Sequence, residues 1–224
     1  MNSRTKTLFS WSGGKDSALA LHEILKSGVY EIESLITTVT ADYGRVSMHG
    51  LRTELLHSQA DSLNIPLEEV YISKEASNEE YESNFNGTLK KYRGQGITKI
   101  VYGDIYLQDI REYREALMSK IGMECMFPIW KRGSALLAES FVDNGFKAVV
   151  VCVDTEQLDA SFSGREYDES FLSDLPSGVD PCGENGEFHT FVYDGPIYRS
   201  AISHSLGEVV MRGGRFCYSD VLPG

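Results

Sequence analysis

Between a β-like segment ending at Trp11 and an amphipathic stripe beginning at Ala18, the chain reads Ser12-Gly13-Gly14-Lys15-Asp16-Ser17. Two adjacent glycines let the backbone turn sharply and approach a ligand with no Cβ in the way. The helix that follows aims unpaired N–H groups and its positive dipole end at the same point, which makes a site for anions. Ser12 and Ser17 add hydroxyl donors, Lys15 a positive charge and Asp16 a ligand suited to Mg²⁺. A plain glycine turn needs none of these, and at average residue usage the hexapeptide is expected by chance in about one in 10^5 chains of this size. The run fits neither G-x-x-x-x-G-K-S/T nor G-x-G-x-x-G, so a P-loop NTPase or a dinucleotide fold is a poor match.

The surrounding pattern predicts an α/β, Rossmann-like parallel sheet with helices on both faces. Strands are expected near Thr7 to Trp11, Ile32 to Val39, Leu67 to Ile72, Lys99 to Asp104, Cys125 to Ile129 and Ala148 to Asp154, mostly as continuous apolar runs. Helical stripes lie between them. Ala18, Leu21, Ile24 and Leu25 stop at Gly28, and Leu51 to Leu63 closes before Pro66. A third stripe opens at Asn78 as N-cap and ends at Gly94, a fourth starts at an Asp109/Glu112 capping pair and ends at Gly122, and a fifth covers Ser134 to Asn144. Beyond Leu175 glycine and proline crowd a loop, Phe188 to Tyr193 reads as a strand, and Glu208 to Tyr218 as a hairpin turning at Gly213-Gly214. The expected division is a nucleotide domain over residues 1–130 and a smaller C-terminal α+β substrate domain over 131–224.

The 12–17 loop resembles that of the PP-loop ATP pyrophosphatases of the adenine nucleotide α-hydrolase superfamily. That resemblance implies ATP and Mg²⁺, and cleavage of ATP between its α and β phosphates. Further matches are Val101-Tyr102-Gly103-Asp104-Ile105 with Arg111 and Arg114, Phe127-Pro128-Ile129-Trp130, and the segment Gly178 to Thr190 containing Gly183-Glu184-Asn185-Gly186-Glu187-Phe188-His189. Together they are similar to the diphthine-ammonia ligase family over nearly the whole chain. The resemblance implies adenylation of a carboxylate, release of pyrophosphate and attack by ammonia to form an amide. Archaeal and eukaryotic members usually hold an acid where His189 stands, so the chain resembles the bacterial branch, and the acceptor is expected to be a small-molecule or protein-borne carboxylate.

Read as chemistry, Gly103 and Asp104 fall at the C-terminal end of a predicted strand, the edge where open α/β sheets bind ligands. Asp104 suits metal or ribose there, or merely caps a turn. Arg111 and Arg114, three apart on one helix face, suit a carboxylate or phosphate clamp, or else a solvated face with Glu112 and Glu115. Glu184, Asn185, Glu187 and His189 suit substrate orientation and proton transfer, or else a glycine-rich turn with solvated acids; Glu187 and His189 join Lys15 and Asp16 as the catalytic candidates. His49 is a candidate for the nucleotide edge, or equally a histidine at a helix start. Cys182, without a nearby second cysteine, reads as a structural thiol.

Composition restricts the partners. With 33 acidic against 21 basic residues the net charge is -12, which opposes a broad nucleic-acid surface. A tRNA-thiolating enzyme on the same loop would need a basic surface and a cysteine pair, and Cys125, Cys152, Cys182 and Cys217 form none. A nucleotide sensor without turnover would lack the Lys15-Asp16 pair. No apolar stretch reaches membrane-spanning length and the N-terminus carries no signal-like core, so no membrane partner and a cytoplasmic location are expected. A homodimer is allowed for.

Overall fold

The computed structural model describes residues 4–42, 44–46 and 50–224; His49 lies outside them. The first sheet contains β1 (Thr5–Ser10), β2 (Tyr30–Thr40), β3 (Arg45–Val46), β4 (Leu67–Ile72), β5 (Lys99–Val101) and β6 (Glu124–Met126). Its order is β3-β2-β1-β5-β6 with β4 also on β2, and every pairing is parallel except that of β3. Central β1 thus has β2 on one side and β5 on the other. The crevice beyond its C-terminal end is the switch point at which such sheets bind ligands.

Alternation along β1 sends side chains to two layers, as the period of a strand requires. Phe9 packs with α1 (Lys15–Ser27), α2 (Thr53–Leu63) and α5 (Ser134–Asp143), whereas Leu8 packs with α3 (Asn78–Gly94) and α4 (Gln108–Ser119). Helices therefore cover both faces, which is why the strands read as unbroken apolar runs.

The second sheet is antiparallel, in the order β8-β7-β10-β9, from β7 (Lys147–Asp154), β8 (Phe188–Asp194), β9 (His204–Arg212) and β10 (Phe216–Pro223). A 3₁₀ turn at Ala160–Phe162 and the short α6 (Glu169–Asp174) lie between β7 and β8. Val149, Val151, Phe191 and Val192 of this sheet share one apolar core with Phe9, Trp11 and Leu21 of the first half. No helix among the described residues is long and apolar enough to cross a membrane.

Several element ends differ from the sequence expectation, each for a local reason. The N-cap of α3 is Ser77, whose hydroxyl accepts the Glu80 N–H, so Asn78 is already helical. Helix α4 starts at Gln108, which moves Asp109 inside the first turn, where its charge favours the dipole without forming a capping box. The strand at 99–104 stops at Val101, and the chain leaves the sheet at Gly103 toward the crevice. Strand β6 stops at Met126, because Pro128 has no N–H with which to extend a ladder.

One ion cluster ties the two sheets together. Asp220 on β10 accepts Nη1 of Arg45 on β3 at 2.9 Å and Nη2 of Arg52, the N-cap residue of α2, at 2.6 Å. Burial alone would raise the Asp220 carboxyl, but the bonds from Arg52 and Arg45 outweigh it and hold it down to about 2. A carboxyl lower in the folded than in the unfolded state adds stability above the ordinary carboxylate range. That contribution is lost as pH falls toward about 2. Asp220→Asn is therefore expected to cost on the order of 1–2 kcal/mol at pH 7, after discounting for partial exposure, and little near pH 2. Urea unfolding of both proteins across pH 2–7 measures this; a gap that stays constant with pH contradicts it.

Candidate functional site

The 12–17 loop leaves β1 at the switch point and enters α1 with Gly14 as N-cap, a residue with no side chain to close the first turn. Gly13 adopts φ 80°, and a Cβ there would lie 2.9 Å from the Gln59 side-chain oxygen, so only glycine fits without displacing a neighbour. The loop is held from several sides. Ser12 and Ser17 hydroxyls meet at 3.0 Å, and Ser17 Oγ donates to Gly14 O at 2.9 Å. Gln59, fully buried on α2, receives the Trp11 indole N–H and donates to the carbonyls of Gly13 and Val192. From β8, Val192 N donates to Gly13 O at 3.0 Å and Thr190 Oγ1 accepts Lys15 N at 3.1 Å. The antiparallel sheet thus fixes the 12–17 loop that leaves the parallel one.

Lys15 and Asp16 divide in direction. The Lys15 ammonium is buried, 2.8 Å from Asp16 Oδ2, donating to Cys182 O and close to the rings of Phe188 and Tyr167. It clamps the loop at 180–188 onto the 12–17 loop. Asp16 keeps its second oxygen, Oδ1, buried without a hydrogen-bond partner. Burial raises its carboxyl, Lys15 opposes this, and Asp180 and Asp104 push it further up. An orphaned carboxylate oxygen amid excess negative charge is the setting a divalent cation relieves.

The cavity in front of the loop measures about 600 Å³. Its walls include Ser12, Gly14, Lys15, Asp16 and Ser17, then Tyr102, Gly103, Asp104 and Arg114, and across from them Glu184, Asn185, His189 and Thr190. Asp104 is engaged by Arg114, with Nε to Oδ2 at 2.7 Å, and the guanidinium lies 4.4 Å from the Tyr102 ring. Arg111 does not line the cavity; it pairs with Glu115 and stacks between Phe127 and Trp130, 4.8 Å from each ring. The two arginines therefore do not form a shared clamp in this structure, because Asp104 and the aromatic pair take one each.

The two glutamates of the 184–187 segment also differ. Glu184 faces the cavity, accepts the N–H groups of Ile105 and Tyr106 at 2.8 and 3.2 Å, and is raised to about 7 by burial, against the pull of those two bonds. Glu187 is 2% exposed, and its oxygens accept Asp180 N, Asn185 N and Asn185 Nδ2 at 3.1, 2.9 and 2.9 Å. Glu187 shapes the loop from beneath, while Glu184 meets what enters the cavity. Cys182 is buried with Sγ 3.3 Å from Ser134 O, and burial pushes its thiol well up, which suits a structural role.

Four further wall residues carry chemistry: Tyr102, beside Gly103 and Asp104, and Asp154, Gln157 and Arg215, which come from no local motif of the site. Arg215 grips Asp154 through Nε at 2.8 Å and Nη2 at 2.5 Å, and Gln157 donates to the same carboxylate at 2.8 Å. Asp154 and Arg215 are 61 residues apart, and only the antiparallel pairing of β7 with β10 joins them. For Gln59 a signal did exist, since a glutamine interrupts the apolar stripe Leu55, Leu56, Ala60, Leu63.

Comparison with known proteins matches residues 5–125 to the diphthamide synthase N-terminal domain and residues 134–212 to the diphthamide synthase C-terminal domain. Among curated proteins, the chain is 23% identical over 236 residues to the diphthine–ammonia ligase of Schizosaccharomyces pombe, covering 96% of this chain and 39% of that protein. It is 24% identical over 225 residues to that of Danio rerio, covering 89% and 86%, and 28% identical over 111 residues to that of Homo sapiens, covering 47% and 42%. The chain spans about two fifths of the fission yeast protein and most of the zebrafish one.

Proposed function

The chain belongs to the diphthamide synthase family, and from that premise we propose that it is an ATP-dependent ligase that activates a carboxylate as its adenylate and transfers ammonia to it. The observation that carries this reading is the meeting, around one cavity, of a phosphate-type loop with an unpartnered carboxylate oxygen and a carboxylate-rich loop from the second sheet. The small amine and the acceptor carboxylate would enter between them. The proposed division places the nucleotide in the first unit, residues 1–130, and the acceptor against residues 131–224.

Each residue has a definite task in this scheme. The backbone N–H groups of Asp16 and Ser17 would hold the β and γ phosphates, joined by the Ser12 and Ser17 hydroxyls once these rotate from each other and from Gly14 O, and the dipole end would stabilise charge on the departing pyrophosphate. Mg²⁺ fits at Asp16 Oδ1 and would neutralise phosphate charge there. Among the described residues no three His, Cys, Asp or Glu side chains form a cage, which suits an ion that takes its remaining ligands from phosphate and water. Lys15 keeps the two loops together. Gly103 admits the nucleotide closely, Asp104 and Arg114 form the opposite wall, and Glu184, Asn185 and His189 face the acceptor and the amine. Arg111 holds α4 to the Phe127–Trp130 turn.

Incubation with ATP, Mg²⁺, ammonium and candidate carboxylates, including diphthine-bearing elongation factor, tests the proposal. AMP and pyrophosphate in equal amounts with an amide product are expected; ADP and orthophosphate would remove it.

Glu187→Ala separates binding from transfer. It leaves two backbone N–H groups and the Asn185 amide without their acceptor, which costs roughly 2–4 kcal/mol of local order. Nucleotide affinity is expected to stay within about threefold, whereas amide formation slows by about 10^2, since small displacements of positioning groups cost that much. Equal losses in both measurements would contradict this.

A further inference from the structure

Among the described residues, strand β9 is an edge of the second sheet, paired only with β10. Opposite Cys217, Ser219 and Val221, which are 3–4% exposed, it sets Met211, Val209 and Leu206, which are 50, 61 and 50% exposed. Residues opposite one another in an antiparallel ladder share a face. The stripe on β9 therefore continues the core face one strand beyond its covering. Sheet edges in monomeric proteins are blunted by proline, charge or a bulge; β9 has a bulge and two charges, but neither covers its apolar face. On β9 the formal charges are Glu208 and Arg212, and both line a groove on the other face with Val210, Tyr218 and Asp220.

We infer that β9 is a homodimer interface, joining two copies edge to edge in antiparallel pairing about a twofold axis at Val210. Identical strands paired antiparallel are symmetric about one position, so the choice of centre fixes every contact. A centre at Glu208 sets two carboxylates face to face. A centre at Val209 or Met211 sets Arg212 against Leu206 or Val210 and leaves both charges without a partner. With Val210 at the centre, Glu208 of each copy meets Arg212 of the other, Val210 meets Val210, and Val209 meets Met211 twice. Val209 to Arg212 lie on the regular side of the bulge that interrupts the β9–β10 ladder, and Glu208 is the first residue inside it. Both faces are then matched at once, the apolar one by Val209 and Met211 and the polar one by two ion pairs. A second copy suits this edge better than a polyanion or an acidic protein, which would be served by only one guanidinium.

Sedimentation and light scattering at about 1–100 µM, a range that brackets weak to moderate association, read the result directly. A concentration-dependent doubling of mass is expected. Glu208→Arg and Arg212→Glu should each raise the dimer dissociation constant at least about tenfold, and the double exchange should return it to within about threefold, because the pairs are reciprocal. Val209→Lys should give a monomer. All these positions are exposed, so thermal unfolding of the dilute monomer should stay unchanged and separate loss of pairing from loss of fold. A monomer at the highest concentration, a dimer indifferent to these changes, or a double exchange weaker than either single one would overturn the inference.

Discussion

Asp16→Ala is expected to lower AMP-forming turnover by about 10^3, with Mg²⁺ no longer able to restore it by simple excess. The size follows from losing a group aimed at charge that develops in the transition state, for which single deletions cost about 10^2 to 10^3. Asp16 Oδ1 is buried at the cavity with no protein partner, while Oδ2 belongs to Lys15. The carboxylate therefore has one oxygen committed to holding the loop and one left for a ligand. Alanine removes both functions, and leaves the buried Lys15 ammonium with the Cys182 carbonyl as its remaining short contact. Asp16→Asn separates the two, because the amide oxygen still accepts from Lys15 while the negative charge is gone. The asparagine variant should keep the loop contact and remain inactive, at a lowered thermal midpoint because the buried Lys15 ammonium loses its counter-charge. Turnover within tenfold of the wild type in either variant would show that Asp16 is not the metal-side carboxylate.

Gly103→Ala is expected to weaken nucleotide binding at least tenfold and to cost about 1–3 kcal/mol of stability, the usual range for overpacking. A Cβ at this position would stand 2.9 Å from Ser17 N and 3.0 Å from the Asp16 carbonyl carbon and oxygen. These are backbone atoms of the first turn of α1, so no side chain can swing away to make room. Either the turn after β5 retreats or the phosphate loop shifts, and both distort the same crevice. Calorimetric titration with ATP and thermal unfolding with and without nucleotide measure the two effects. Gly87→Ala on α3 is the control, since a Cβ there meets nothing within 4 Å. It should raise stability by about 0.5–1 kcal/mol, as glycine inside a helix is penalised relative to alanine. If Gly103→Ala behaves like Gly87→Ala, the close approach of β5 to the loop is not a constraint.

The elements that were legible in the sequence are those encoded over short stretches. Gly28 ends α1 in the left-handed conformation at φ 67°, the apolar runs became strands, and the turn at Gly213-Gly214 became the hairpin between β9 and β10. The family resemblance, carried by residues 12–17, 101–105 and 178–190, agrees with the matched domain models. The strand at Lys147–Asp154 shows where this stops. Its apolar run looks like those of the parallel sheet, yet its neighbours are β8 and β10 in the antiparallel one. Periodicity records which faces are buried and says nothing of which strand lies alongside.

The site divides along the same line. That Ser12 to Ser17 would turn the chain sharply from β1 into α1 followed from six adjacent residues, because glycine conformation and helix start signals are local properties. Which neighbours complete it was decided by contacts across 46 to 175 residues, among them Gln59 to Gly13 and Lys15 to Thr190. Glu184 and Glu187 are chemically alike and three positions apart, and only the packed loop turns one into the cavity and the other onto its own backbone N–H groups. Arg111 and Arg114 share a helix face, but Phe127, Trp130 and Asp104 send them to different partners. Side-chain direction depends on the charge and volume that surround it, and those surroundings exist only once both sheets have closed on the common core.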